Sequence, residues 1–298
     1  MNSKKIIWEV ARLTVQLNRG EADLPLEIPP GHQKFLISSQ TSLPISELPE
    51  KSNASSKLDL QICDISPDPI NLQNLALLRS DTWEFWLEPD GSYQFVLPYE
   101  EIPVKALVRS DFSEGVIQGD FSSSKAAVFP LKNIENRIFS AWLGTMGDII
   151  LHASGVIYDG KGYCFAGDPG AGKSDLAAAL ASDPGITVLG EDQVVLRYLK
   201  DRFWIFGAPW HLNPEMCSPE GIPLSKMFFL DRSLEPGAHL ISPLDGITRI
   251  LQTAFTPFYQ PKWIPGILAR LELLSQQVPF YNLSYQLGSD PVALITNA

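Results

Sequence analysis

Residues 163–181 read YCFAGDPGAGKSDLAAALA and decide the fold, because an apolar strand, a glycine-rich loop and a helix follow one another directly. Gly167 to Ser174 fit the phosphate-loop pattern G-x-x-x-x-G-K-[ST] at every fixed position. Glycines let the backbone approach phosphate closely, and the exposed amides form an anion-binding nest at the helix N-terminus. Lys173 can reach the β- and γ-phosphates of a nucleotide, and the Ser174 hydroxyl can bind Mg²⁺. The alternative is a glycine-rich turn without a ligand, which this strand-to-helix context disfavours.

The loop predicts the nucleotide contacts of the chain. We expect ATP and Mg²⁺ as cofactors, bound by Gly167, Asp168, Pro169, Gly170, Ala171, Gly172, Lys173, Ser174 and Asp175. The carboxylate of Asp168 would be repelled by phosphate, so its backbone is the expected contact. Pro169 is expected to stiffen the turn.

An acidic pair follows the next apolar strand, in ITVLGED at 186–192. Either carboxylate of Glu191-Asp192 can hold Mg²⁺, and one can accept the proton of an attacking hydroxyl. The alternative is a solvated acidic pair in a turn. Asp192 follows Lys173 by only nineteen residues, and no Asn-Lys-x-Asp guanine motif is present, which disfavours a GTPase and a mechanical ATPase. His152, in LHAS, would by itself more often be a hydrogen-bonded core residue.

Helices and strands alternate around the loop, which predicts an α/β half of the chain. The pattern predicts an amphipathic helix over 131–148, strands at 149–158, 163–166 and 186–190, a helix over 173–181 and helices near 245–253 and 265–277. A turn at 159–162 and a hairpin of 193–199 with 202–207 around Lys200-Asp201 complete this half.

The first 130 residues instead predict a β-rich, α+β unit, with strand-like runs at 6–17, 59–65 and 103–108 and a hairpin within 82–98. A long loop is expected at 38–57. The predicted domains are therefore 1–130 and 131–298.

Composition limits the function classes. The 298 residues carry a formal charge of −11 without a basic stripe, which argues against nucleic acid and anionic membranes as partners. No apolar run is long enough to span a bilayer, and the first ten residues make a poor signal peptide. Cys63, Cys164 and Cys217 are far apart and lack metal-ligand spacing, and Cys164 is expected in the core. These features favour a reducing cytoplasm.

Together, His152, the loop Gly167–Ser174 and Glu191-Asp192 resemble the HPr kinase/phosphorylase family, whose catalytic domain is similar to that of phosphoenolpyruvate carboxykinase. The strong match covers roughly residues 149–207. The resemblance implies a P-loop domain of that fold, preceded by the β-rich N-terminal domain. It also implies that Asp192 deprotonates the acceptor, that Lys173 binds the transferring phosphoryl group, and that His152 lies beside the reacting phosphate.

The chain departs from the family pattern in several places. Asp175 replaces the Glu or Thr usual after GKS, and the acidic pair is Glu-Asp rather than Asp-Asp. The family stretch after the hairpin is not recognisable. The metal set that we expect is Ser174, Glu191, Asp192 and, as a further candidate, Glu215. Candidates for a distal catalytic arginine are Arg249 and its rival Arg232. His211 and Trp210 are candidates to line the acceptor site, with core packing favoured for Trp210.

The layout also resembles HPr kinase-related proteins found with peptide-modifying gene clusters, some of which phosphorylate a serine of a ribosomally made peptide such as a lasso peptide precursor. The sequence therefore predicts an ATP-dependent kinase that acts on a Ser/Thr-type hydroxyl of a peptide or small protein. A kinase of a small-metabolite hydroxyl, such as an amino acid, and a non-catalytic nucleotide-sensing module stay open. By analogy with its relatives, a homo-oligomer is one option.

Overall fold

The computed structural model describes residues 5–18, 24, 26–37, 54–67, 75–98, 100, 102–123, 129–131, 133–211, 213–231, 237–285 and 290–298. The chain forms an α/β structure with two mixed eight-stranded sheets. The first sheet comes from residues before 130 and the second from residues after 148, at the place where the sequence predicted a boundary. Whether the two parts are independent domains stays a prediction. Most of the predicted loop at 38–57 lies outside the described residues.

The first sheet has the strand order β1-β2-β3-β8-β7-β6-β5-β4. Its strands are β1 (Lys5–Val10), β2 (Leu13–Asn18), β3 (Lys57–Asp64), β4 (Leu75–Arg79), β5 (Glu84–Leu87), β6 (Tyr93–Leu97), β7 (Val104–Val108) and β8 (Glu114–Gly119). A short helix, α1 (Pro30–Gln33), follows β2. The predicted hairpin within 82–98 is confirmed as β5 and β6.

The strand-like run expected at 6–17 is confirmed as β structure, but an unpredicted turn divides it into β1 and β2, which form an antiparallel hairpin. Ala11 and Arg12 take positive φ angles of 52° and 66° and make the turn. Sequence patterns do not mark this turn, since such angles usually belong to Gly or Asn.

The second sheet has the order β10-β9-β12-β13-β14-β16-β15, and β11 pairs with β9. Its strands are β9 (Ile149–Tyr158), β10 (Lys161–Ala166), β11 (Ile186–Gly190), β12 (Gln193–Leu199), β13 (Arg202–Gly207), β14 (Gly221–Leu230), β15 (Gly237–Leu240) and β16 (Phe280–Ser284). The helices are α2 (Glu135–Gly144), α3 (Lys173–Ala181), α4 (Pro243–Thr253), α5 (Ile264–Gln277) and α6 (Pro291–Thr296). β10 also pairs in parallel with β14, so the phosphate-loop strand lies between β9 and β14.

Most predicted elements of this half are confirmed. The strands at 149–158 and 186–190, the helix over 173–181 and the hairpin around Lys200-Asp201 have the expected bounds. The helix expected over 131–148 is shorter, since regular structure begins at Glu135 and ends at Gly144. The turn expected at 159–162 narrows to Asp159-Gly160, both with positive φ, so β10 begins at Lys161. Strands β14, β15 and β16 were not predicted.

The two sheets share one continuous hydrophobic core, with α2 between them. The indole of Trp142 on α2 stacks on Phe112 of the first sheet at 6.0 Å between ring centroids, and its Nε1 donates to the Ser55 carbonyl at 2.9 Å. Arg197 on β12 is fully buried, pairs with Asp148 at 2.9 Å and donates to the carbonyl of Ala11. The N-terminal sheet is therefore packed firmly on the half that carries the phosphate-loop motif.

Within the described ranges, no helix is long and apolar enough to cross a membrane. All three cysteines carry free thiols. Cys164 is completely buried, as expected, and burial raises the pKa of its thiol far above the ordinary value.

Candidate functional site

The glycine-rich loop connects β10 to α3. Gly170 and Gly172 have φ angles of 82° and 100°, in the left-handed region that L side chains rarely adopt. Gly172 is also the N-cap of α3, which begins at Lys173. The first amides of a helix lack intrahelical partners, and the phosphate loop leads directly into this end of α3. Ser174 and Asp175 are exposed on the first turn of α3. This geometry suits an anionic group.

Lys173 lies beneath the loop. Its ammonium donates to the carbonyl of Gly167 at 2.7 Å and to that of Asp168 at 3.2 Å, and the residue is buried. Burial lowers the pKa of Lys173 below its ordinary 10.5, while the carboxylates of Asp192 and Asp168 act in the opposite direction. The ammonium is thus poorly hydrated, which strengthens its attraction for any anion that enters the loop.

The acidic pair reaches the loop across β9. Ala153 of β9 pairs with Ala166, the last residue before the loop, and the amide of Ala153 donates to the carbonyl of Asp192 at 3.0 Å. The Nδ1 atom of His152 lies 3.0 Å from Oδ1 of Asp192, and both side chains are partly exposed, at 31% and 40%. The structure therefore brings His152, Asp192 and the loop to one end of the sheet. His152 is not the buried core histidine that the strand alone would favour.

Gly190 lets the backbone of the acidic turn lie close to the ring of His211 and to the carbonyl of Gln193. A Cβ atom at Gly190 would lie 2.5 Å from the carbonyl oxygen of Gln193 and 2.7 Å from Cε1 of His211. Real Cβ atoms essentially never come so close to other heavy atoms, so a side chain here would push the acidic turn away from its position.

Ser154 is a residue of the site that sequence reasoning missed. Its fully buried hydroxyl donates to the carbonyl of Glu191 at 2.7 Å and lies 3.4 Å from the carbonyl of Lys173. It therefore links β9, the acidic turn and the first residue of α3. The alternation of side chains along a strand indicates this residue, because Ser154 lies two positions after His152 and therefore shares its face of β9.

His211 lies against Gly190, near Asp192. Its two ring nitrogens are buried, and neither has a partner with normal hydrogen-bond geometry in the part of the chain that the structure describes. Burial lowers the pKa of His211 from 6.5 to about 4, although Asp192 acts to raise it. His211 is therefore a neutral imidazole at neutral pH. Its neighbour Trp210 packs on Phe139 and donates to Glu135 at 3.0 Å, which agrees with the packing role favoured for Trp210.

The more distant candidates lie at the edge of this region. Glu215 is exposed in a short 3₁₀ helix. Burial raises the pKa of Cys217, and the nearby carboxylates of Glu215 and Glu191 act in the same direction. Arg249 on α4 lies over the ring of Phe229, 5.8 Å from its centroid, and Phe229 pairs with Ala166 just before the loop. Its rival Arg232 lies outside the described residues.

The donor set suits a metal that arrives with a nucleotide. Within the described ranges, no group of three or more His, Cys, Asp or Glu side chains is arranged to hold a metal ion. Mg²⁺ in phosphoryl-transfer sites usually takes only one or two carboxylates and completes its coordination with phosphate oxygens and water. Ser174, Glu191 and Asp192 fit that mode of binding, whereas a site built from protein ligands alone is not present among these residues.

No protein-family model and no curated protein matches the chain. Among solved structures, the chain is similar to the Hpr(Ser) kinase/phosphatase from Coxiella burnetii, at 16% sequence identity over 50% of this chain and 88% of that chain. The TM-score is 0.28. This likeness is too weak to decide the family or the activity, so both stay proposals that rest on the motifs and on the geometry of the site.

Proposed function

We propose that this chain is an ATP- and Mg²⁺-dependent kinase of the HPr kinase-like type, which transfers the γ-phosphate to a Ser/Thr-type hydroxyl of a peptide or small protein. The observation that carries the proposal is the placement of Asp192. It is held by His152 at 3.0 Å, and its carboxylate acts on the pKa of the loop lysine Lys173. This proximity supports a site in which an acid and a phosphate-binding cation act on the same phosphate, as direct phosphoryl transfer requires.

Each residue has a distinct role in the proposed reaction. The loop amides and the ammonium of Lys173 bind the triphosphate and spread its negative charge. Asp192 accepts the proton of the acceptor hydroxyl as that oxygen attacks the γ-phosphorus, and ADP leaves. His152 fixes the orientation of the Asp192 carboxylate. Mg²⁺, held by Ser174, Asp192 and Glu191, would neutralise charge on the phosphate oxygens.

His211 adds no charge beside Asp192. Its ring nitrogens are buried, with the ring against Gly190, so they are not open to an incoming hydroxyl group. The pKa of about 4 keeps His211 neutral throughout the physiological range. We therefore propose that Asp192 receives the acceptor hydroxyl, that the neutral ring of His211 supports the acidic turn from behind Gly190, and that Arg249 and Glu215 act at the margin of the site.

A transfer assay tests this function. The protein is incubated with Mg²⁺ and γ-labelled ATP, together with a mixture of Ser-, Thr- and Tyr-containing peptides, peptides encoded beside the gene, and free hydroxyamino acids. Mass spectrometry then identifies any species that gains one phosphoryl group. Phosphopeptides that disappear in Asp192→Asn support the proposal, and phosphorylated free amino acids would instead favour a small-metabolite kinase. Nucleotide binding without any turnover would point to a nucleotide-sensing module and would overturn the proposed transfer.

A further inference from the structure

The acidic turn is flanked by a segment that follows β13, which we call the wall segment (residues 208–211 and 213–218). The backbones of Cys217 and Gly190 form an isolated antiparallel β-bridge, and the amide of Ser218 donates to the carbonyl of Leu189 at 3.1 Å. His211, in the same segment, lies against Gly190. The wall segment therefore contributes His211 and Cys217 to the surroundings of the acidic turn.

Two residues of the N-terminal part, Gly31 and Lys34, contact the wall segment directly. Gly31 of α1 approaches the wall so closely that a Cβ atom there would lie 2.5 Å from the carbonyl oxygen of Pro209. Just after α1, the ammonium of Lys34 donates to the carbonyl of Glu215 at 3.2 Å and to that of Cys217 at 3.1 Å. Lys34 thus ties down two carbonyl groups of a segment that otherwise has little regular structure.

A third attachment is a buried hydrogen-bond hub at Glu135, the first residue of α2. Its carboxylate is only 2% exposed and accepts from Nε1 of Trp8 at 2.7 Å and from Nε1 of Trp210 at 3.0 Å. The Nε2 atom of His32 lies 2.5 Å from the same carboxylate. A buried carboxylate needs several partners to be tolerated, so the hub fixes all of them together. Trp210, which it fixes, directly precedes His211.

We infer that the N-terminal part is a positioning element for the acceptor side of the site, with Lys34 and Glu135 as positioning residues. The packing itself does not depend on the proposed function; only its consequence for the acceptor does. Lys34 follows α1 in the N-terminal part, and the same part supplies Trp8 and His32 to the carboxylate of Glu135, so the wall segment has its observed place only when the first sheet is docked. A chain reduced to the phosphate-loop half would keep the loop but lose this wall.

Hydrogen exchange measured by mass spectrometry tests the inference on the full-length protein. Lys34 is exposed, so Lys34→Ala removes its two hydrogen bonds without leaving a buried cavity. We expect amides in peptides covering 208–218 to exchange roughly fivefold faster, the factor for the loss of hydrogen bonds of ordinary net strength. Peptides covering 167–181 should be unchanged. Lys34→Arg, which can donate to the same carbonyls, should restore protection.

The matched control is Lys57→Ala. Lys57 is a lysine of the N-terminal part at the start of β3, and its ammonium donates to Asp59 of the same strand at 3.1 Å rather than to the wall segment. Glu135→Gln is the second variant, since it keeps the shape of the hub and removes its charge. Titration with MgATP in the same samples should give the wild-type Kd for Lys34→Ala, while turnover falls, because the wall lies on the acceptor side.

The results separate the two proposals. Unchanged exchange over 208–218 in both Lys34→Ala and Glu135→Gln would overturn the positioning role, whatever the enzyme does. Faster exchange spread evenly over the second sheet would also overturn it, since that indicates general loss of stability. If exchange changes as expected but the wild-type protein neither binds nor turns over MgATP, the positioning role stands and the proposed kinase function fails.

Discussion

Replacing Asp192 by Asn is the sharpest perturbation of the proposed mechanism. The side chain keeps its shape, and its carbonyl oxygen can still accept from Nδ1 of His152, but it can no longer take a proton. The contact between His152 and Asp192 is partly exposed on both sides, at 31% and 40%, so the cost of the change in folding stability should stay below about 1 kcal/mol. A positioned base contributes about 10²–10⁴-fold to a reaction rate. The barrier to transfer should therefore rise by about 3–5 kcal/mol, at roughly 1.4 kcal/mol for each factor of ten.

The assay separates binding from chemistry. Isothermal titration with a non-hydrolysable ATP analogue and Mg²⁺ gives Kd, and phosphate release or transfer gives the turnover rate. Asp201→Asn is the matched control, because Asp201 is an exposed acid in the β12–β13 turn with a φ of 59°, which Asn tolerates. Because Ser174 and Glu191 would still hold Mg²⁺, the expected result for Asp192→Asn only is retained nucleotide binding with nearly abolished turnover. Turnover within about threefold of wild type would refute Asp192 as the base.

The remaining predictions concern the loop, its supports and the core. Lys173→Ala should abolish MgATP binding and turnover. In the wild type, the affinity for MgATP should fall as the pH rises through the pKa of Lys173, which is lowered below 10.5, because only the protonated ammonium attracts phosphate. Calorimetry on the mutant, and on the wild type across this pH range, measures both effects. Ser154→Ala should cost about 1 kcal/mol of stability and lower turnover more than it weakens nucleotide binding, since it frees the acidic turn from β9. Gly190→Ala should displace that turn, because the new Cβ would lie 2.5 Å from a carbonyl oxygen, and steady-state turnover should fall while MgATP still binds. Arg197→Met should destabilise the fold by about 3–5 kcal/mol in urea denaturation, because it leaves the carboxylate of Asp148 buried without its partner, and Asp148→Asn in the same chain should recover part of that loss.

Different outcomes would contradict these expectations. Full MgATP affinity in Lys173→Ala, or affinity that does not change with pH up to 10.5, would remove the lysine from the phosphate site. Equal effects of Ser154→Ala on binding and turnover would leave Ser154 with a purely structural role. A urea midpoint for Arg197→Met equal to that of the wild type would show that the buried pair does not support the contact between the two sheets.

The sequence by itself determined the local structure around the phosphate loop. The bounds of α3, β9 and β11 could be predicted, because an apolar strand, a glycine turn and an alanine-rich helix each follow from a few neighbouring residues. Glycine adopts positive φ angles readily, so the glycines of the motif at Gly170 and Gly172 predict the left-handed backbone conformation found there. The candidate residues of the loop and of the acidic turn were found for the same reason.

Only the tertiary structure decided what stands around the loop. The parallel pairing of β10 with β14, the hydroxyl of Ser154 beneath the acidic turn and the approach of His211 to Gly190 join residues that are distant along the chain. The same holds for the link from Lys34 to the wall segment, across more than 180 positions. Such contacts depend on strand order and on how two sheets dock, and these are decided by the joint burial of many side chains. A short stretch of sequence encodes its own backbone conformation, but it does not encode the distant surface against which it will be buried.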